Sequence, residues 1–177
     1  MGKVLIEKEL RFDFTAAIES DQFDDDSHGM THCMKPVDFI VEWPEDYWFV
    51  EVKDPMNSKI PEKYKDKRLE EFIEKMKNQK LFSNVLGPKA KDSFLYLHLS
   101  DKLPEKPIKY IVLIALENFD HGLLVSSMDH LRRSCCILGP NNSTWPNRYI
   151  ENALIFNEKT WNEKLTQCPV MRIINEA

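Results

Sequence analysis

Between Pro36 and Lys53 the chain reads PVDFIVEW, then PED, then YWFVEVK. Two runs rich in β-branched and aromatic residues, Pro36 to Trp43 and Tyr47 to Lys53, flank a polar turn of Pro44, Glu45 and Asp46, which predicts a β-hairpin. Side chains alternate between faces along a strand, so the pairing register decides what each face carries. One register sets Asp38 opposite Glu51 and needs a loop of even length, such as Pro44-Glu45 or Trp43 to Asp46. It puts Val37, Phe39, Val41 and Trp43 with Trp48, Val50 and Val52 on one wholly apolar face. The other face then holds Asp38, Ile40 and Glu42 with Tyr47, Phe49, Glu51 and Lys53. A slip of one residue would move Asp38 onto the apolar face opposite Val52, which costs on the order of several kcal/mol for an unpaired carboxylate. The pattern therefore predicts Asp38 and Glu51 as cross-strand neighbours, with Cβ atoms about 5 Å apart.

Two carboxylates that close repel each other, and a proton, a lysine or a divalent cation must neutralise them. Lys53 lies two residues beyond Glu51 on the same face. Two carboxylates, backbone oxygens and waters suit the octahedral oxygen preference of Mg2+. A lysine beside them can orient a water and stabilise developing negative charge.

Pro36-Val37-Asp38, twelve intervening residues and Glu51-Val52-Lys53 together resemble the PD-(D/E)xK, or restriction-endonuclease-like, nuclease superfamily. The resemblance covers residues 14–82, with Ile108 to Leu116 as the following strand. It implies a three-layer core with a mixed central β-sheet flanked by helices. It implies a Mg2+ (or Mn2+) ion held by Asp38, Glu51 and the Val52 carbonyl, with Lys53 as the third catalytic residue beside Asp38 and Glu51. It also implies an acid from an upstream helix: Glu19 is the best match, Asp21 and Asp24 are rivals, and Glu9 is a weaker one. The activity implied is hydrolysis of DNA or RNA phosphodiesters, in defence or repair. The superfamily also includes inactive relatives that serve as binding modules, so a non-catalytic module is the alternative. The chain departs from the pattern by the single valine between Pro36 and Asp38, and it lacks the Q-x-x-x-Y signature of RecB-like members.

Charge is consistent with a polyanion substrate although the total is −5. Residues 1–52 hold 4 basic and 13 acidic side chains, net −9, and residues 53–91 hold 11 basic and 6 acidic, net +5. Lys59, Lys63, Lys65, Lys67 and Arg68 follow the E-x-K segment and are candidate phosphate contacts, which Lys89 and Lys91 could join. Trp145 and Tyr149 are candidates for base stacking or for core-edge packing. His28, His32 and Cys33 form H-x-x-x-H-C, but Gly29 and its turn-forming neighbours argue against the helix a shared metal would need. Asp24-Asp25-Asp26 lacks the alternation of an EF-hand loop. Cys33, Cys135, Cys136 and Cys168 match no zinc spacing, and Met1 to Leu10 lacks the apolar core of a signal peptide, so four reduced thiols in the cytoplasm are expected. No apolar run reaches the roughly 18 residues of a membrane span. Oligomeric state stays open, a homodimer included.

Along the rest of the chain, Val4 to Phe14 alternates in part and predicts a strand. Asp13 or Thr15 can cap a short helix through Gln22. The apolar spacing of Leu69, Phe72, Ile73, Met76, Leu81 and Phe82 predicts a helix over 66–82, closed by Gly87-Pro88. Ser93 to Leu99 fits helix or strand. Ile108 to Leu116 predicts a buried strand, and Asp120 can cap a helix to Leu138. A loop over Pro140 to Tyr149, a strand over Ala153 to Phe156, a helical turn over Thr160 to Thr166 and a strand over Val170 to Ile174 complete the expectation. Strands and helices mix without a βαβ rhythm, which predicts a single α/β (α+β) domain with a mixed sheet over residues 1–177.

Overall fold

A computed structural model describes residues 1–25, 29, 32–116, 121–140, 143 and 145–173. In chain order the strands are β1 (Val4–Glu7), β2 (Leu10–Asp13), β3 (Glu19–Gln22), β4 (Phe39–Glu42), β5 (Tyr47–Lys53), β6 (Ile108–Ile114), β7 (Ile150–Phe156) and β8 (Val170–Arg172). The helices are α1 (Glu62–Lys77), α2 (Gly87–Leu99), α3 (His121–Ser134) and α4 (Glu158–Lys164), and a π-helical turn at Phe82–Leu86 leads into α2.

The hairpin pairs as its alternation dictates. Phe39 lies opposite Val50, Ile40 opposite Phe49, Val41 opposite Trp48 and Glu42 opposite Tyr47. The Trp43 N–H donates to Asp46 O at 2.9 Å and closes the loop. Five strands then form a mixed sheet of order β3-β4-β5-β6-β7, antiparallel from β3 to β5 and parallel from β5 to β7. A second, antiparallel sheet has the order β1-β2-β8.

The main sheet is buried on both faces. Phe39, Val41, Trp43, Trp48, Val50 and Val52 pack with Phe12 and Phe14 from the small sheet and its exit, and with Trp161 of α4. Phe49, Tyr110, Val112 and Ile114 pack on the other side with Met76 of α1, Phe82, Leu86, Ala90 and Leu97 around and along α2, and Leu131 of α3. The result is three layers: three helices, the mixed sheet, and the small sheet with α4. Each of the six apolar hairpin side chains contributes roughly 1.5–3 kcal/mol by leaving water, so a register slip would forfeit on the order of 10 kcal/mol. Val37 alone leaves the expected face. It joins the helix-side core, and its N–H donates to Ser93 Oγ at 2.9 Å.

Several expectations change. The helix expected from Asp13 or Thr15 to Gln22 is a turn followed by β3. Asp13 Oδ1 does accept from Thr15 N at 3.1 Å, as a cap would, yet only one turn follows. The open edge of β4 takes the segment instead: Ile18 N donates to Glu42 O and Phe23 N to Asp38 O, each at 2.8 Å. Sheet pairing outweighs the local cap because it satisfies a whole strand edge. The Val4–Phe14 stretch is two strands, joined by a tight turn with Lys8 at φ 55°. Gly87-Pro88 opens α2 rather than closing a helix, since proline in a first turn forfeits no bond. Glycine is required there because a Cβ at Gly87 would stand 2.8 Å from Ser134 O of α3. The ambiguous Ser93–Leu99 stretch is the end of α2. Helix α3 stops at Ser134, and Cys136 and Gly139 then adopt positive φ. The Asp120 cap lies outside the described residues. Helix α4 begins earlier than expected, with the Asn157 side chain accepting from Thr160 N at 2.8 Å. Among the described residues no helix is long and apolar enough to cross a membrane.

Candidate carboxylate–lysine site

Extended by one residue, the register of β4 and β5 sets Asp38 opposite Glu51, at the mouth of the hairpin. Both are buried, Asp38 at 4% exposure and Glu51 at 0%. Asp38 Oδ2 accepts the Val52 N–H at 2.6 Å. That bond replaces the ladder bond lost where β4 begins, because the Val37 N–H has turned to Ser93. The N–H and C=O of one strand residue leave on the same edge, so the Val52 carbonyl shares the edge that Asp38 occupies.

Two lysines neutralise the pair. Lys53 Nζ donates to Glu51 Oε1 from the same strand face. Lys89 Nζ, from the first turn of α2, lies 3.0 Å from Asp38 Oδ1 and 2.9 Å from Glu51 Oε2. The Lys89 contact to Asp38 is a hydrogen bond, whereas Glu51 Oε2 has no hydrogen-bond partner and meets Lys89 only as an ion pair. Burial first, and then the charge of Asp38, push the Glu51 carboxyl up to about 7 against the pull of Lys53 and Lys89. Burial alone would lower Lys89, but the Glu51 and Asp38 charges win and raise it.

Helix α2 fixes the start of β4 through three side chains on one face. Lys89 meets Asp38, Asp92 Oδ2 accepts from Lys35 N at 2.9 Å, and Ser93 Oγ accepts from Val37 N. Spacing of three and four residues puts them together on the helix. Lys89 was expected on phosphate rather than on carboxylates. The signal for the other two was their position, polar on a helix face that otherwise packs inward.

Glu19 is not brought to this site. It lies on β3 opposite Glu42, at the far end of β4 from Asp38. There it lines a small cavity of about 30 Å3 with Asp21, Ile40, Glu42 and Tyr47. The helix that was to aim it at Asp38 does not form. Its rivals are committed elsewhere: Asp21 pairs with Lys3 at 2.6 Å, and Glu9 accepts from Ser58 N at 3.0 Å. Asp24 Oδ1 accepts from Gln22 Nε2 at 3.1 Å. An upstream acid that does feel Asp38 is Glu7, at the end of β1. Its carboxyl is raised by burial, then by Asp38 and Asp24. No local signal marks Glu7, because only the packing of the small sheet brings it there.

Behind Lys53 the chain is held by a second cluster. Arg172 donates to Asp54 Oδ2 at 2.9 Å and to Glu158 Oε1 at 2.8 Å, and it lies 3.5 Å from Glu9 Oε2. One guanidinium thus ties β8, the exit of β5, α4 and the β1–β2 turn. Of the candidate phosphate contacts, Lys65 pairs with Glu62, Lys67 reaches Glu71 at 4.0 Å, Lys63 lies over the Tyr64 ring, and the Lys59 N–H donates to Asn57. Arg68 lines a cleft beside Asp54. Trp145 and Tyr149 contact each other, and each donates to a backbone carbonyl, of Cys136 and Cys135 respectively. His28 and Asp26 lie outside the described residues. All four cysteines are free, and burial pushes Cys135 and Cys168 up to about 12.

Among the described residues no group of three His, Cys, Asp or Glu side chains is placed to hold a metal. The donors at the hairpin mouth nonetheless fit Mg2+, which takes one or two carboxylates and keeps several waters. Glu51 Oε2 lacks a hydrogen bond, and a cationic Nζ already spans both carboxylates. Compared with known family models, curated proteins and solved structures, the chain matches none.

Proposed function

We propose that this protein is a metal-dependent phosphodiesterase with a restriction-endonuclease-like core, acting on nucleic acid. The observation that carries the reading is the juxtaposition of buried Asp38 and Glu51 with Lys53 at the end of β5. Ionised acids so deeply buried and so close are costly to fold, and they are useful where a cation must be held. Asp38, Glu51 and the Val52 carbonyl would hold Mg2+ or Mn2+. When bound, the ion supplies Lewis acidity and lowers the pKa of its water. Asp38 and Glu51 would set the position of that ion, and the Val52 N–H fixes the Asp38 rotamer. Lys53, anchored on Glu51 Oε1 and part-exposed, orients the attacking water and donates toward the oxygen that gains charge. Lys89 Nζ lies on both carboxylates; it would have to give way for them to hold a cation, and would then be free to face a phosphate oxygen. The four free thiols fit a reducing, cytoplasmic setting.

A second reading is a non-catalytic nuclease-fold module. Lys89 favours it, because a tethered lysine already neutralises both acids. The two readings separate on two measurements with wild type and Glu51→Gln: cleavage of labelled single- and double-stranded DNA and RNA with Mg2+ or Mn2+, and the thermal shift each ion produces. Enzyme chemistry predicts cleavage and an ion-induced shift in wild type only. Equal behaviour of the two proteins in both assays removes the catalytic reading.

A further inference from the structure

Lys53 is followed by a cleft of about 150 Å3 lined by Pro55 and Ile60 and by Arg68, Phe72 and Lys75 of α1. Asp54 and Glu71 complete its lining. Both acids are spoken for: Asp54 is bound by Arg172, and Glu71 lies within 4.0 Å of Lys67. Arg68 and Lys75 form no ion pair among the described residues, so two unpaired cations stand beside the apolar floor of the cleft. One turn before Arg68 on the same side of α1 stands Tyr64, 48% exposed. At 1.5 Å per residue Tyr64 and Arg68 are about 6 Å apart along the axis, and Lys75 lies about 10 Å further on.

We propose that this strip of α1 and its cleft bind an unpaired stretch of nucleic acid next to the bond to be cut, so that the substrate is single-stranded or locally unpaired. The proposal rests on the reading of Asp38, Glu51 and Lys53 as the hydrolytic centre, since Asp54 places the cleft one residue beyond Lys53. Arg68 and Lys75 take successive or near-successive phosphates, and Tyr64 stacks on a base by its exposed face. The floor of Pro55, Ile60 and Phe72 accepts an apolar ring and offers no pattern of donors for reading a base edge. A base reaches such a floor only when it has left the stack. Sequence preference at this position is therefore weak, and the preference for unpaired strands strong.

The test uses the full chain carrying Glu51→Gln, without metal, and fluorescein-labelled 12-mers of one sequence as single-stranded DNA, single-stranded RNA and duplex. Anisotropy titrations over a series of salt concentrations give affinity and its salt slope. In this background Tyr64→Ala weakens single-strand binding about tenfold. Arg68→Ala with Lys75→Ala reduces the salt slope by about 1.4, the value for two phosphates on a single strand. All three positions are on α1 and exposed, and a circular dichroism melt verifies that the variants fold. Duplex bound as tightly as single strands, or variants indistinguishable from their parent, overturns the proposal. Cleavage by wild type together with unchanged binding in the variants leaves the hydrolytic reading standing and removes the cleft. Absence of cleavage together with variant-sensitive single-strand binding removes hydrolysis and keeps the cleft.

Discussion

Replacing Lys89 with methionine keeps most of the length of the side chain and removes the cation that, among the described residues, touches both buried acids. Its Nζ lies 3.0 Å from Asp38 and 2.9 Å from Glu51. At an effective dielectric near 20 each contact has a gross value of roughly 5 kcal/mol. The burial of Lys89 itself offsets much of that, and a net loss of about 3–5 kcal/mol is expected when one partner of a buried ionic group is removed. Protonation limits the damage, so the loss depends on pH. In the wild type without metal the Glu51 carboxyl is pushed up to about 7 from an ordinary 4.5. A carboxyl that binds its proton more tightly when folded contributes stability that is full below its unfolded pKa. That stability falls by roughly 3 kcal/mol as pH rises from 4.5 to 7. In Lys89→Met the folded pKa climbs further and the decline continues above 7. The full 3–5 kcal/mol should therefore appear at pH 8.5, and about 1–2 kcal/mol at pH 5.5, where Glu51 is protonated in both proteins. Urea denaturation in EDTA at the two pH values measures both. If Asp38 and Glu51 hold a divalent cation as proposed, it competes with Lys89 for the same oxygens, and Mg2+ should stabilise the variant more than the wild type. An ion at a hundred times its Kd adds about 2.7 kcal/mol. A variant within about 1 kcal/mol of wild type at pH 8.5, or an equal loss at both pH values, would refute the reasoning.

Three further outcomes follow from the packing. Ser93→Ala leaves the buried Val37 N–H without its acceptor, at about 1–3 kcal/mol, and a shift in the urea midpoint without a change in slope checks it. Arg172→Ala should cost about 2 kcal/mol in partly exposed surroundings, and Arg172→Lys should restore only a fraction, because an ammonium cannot serve Asp54 and Glu158 with a fork; paired thermal melts decide this. Gly87→Ala puts a methyl 2.8 Å from Ser134 O and 3.0 Å from Phe82 O, both backbone atoms. It should destabilise by roughly 1–3 kcal/mol, although alanine is the better helix former, and a Tm at or above wild type contradicts the close approach of α2 and α3.

The hairpin was legible from residues 36–53 alone. Its period of two, one polar turn and the cost of burying Asp38 among valines leave a single acceptable register, and that register makes Asp38 and Glu51 neighbours. The strand at Ile108 and the core of α1 were legible for the same reason: local period and composition agree with where they pack. Glu19 shows the limit. Its segment carries a helix cap and no strand pattern, yet the open edge of β4 draws it into the sheet and away from Asp38. Lys89 and Glu7 are the reverse case, since nothing in their neighbourhoods points to the carboxylates. They arrive because α2 and the small sheet both reach the start of β4. Periodicity is a property of nearest neighbours along the chain, and so the sequence determined the two acids and Lys53. Which other charges meet those acids depends on contacts 51 and 31 residues apart in the chain, the cation of Lys89 and the carboxyl of Glu7, and only the tertiary structure decided them.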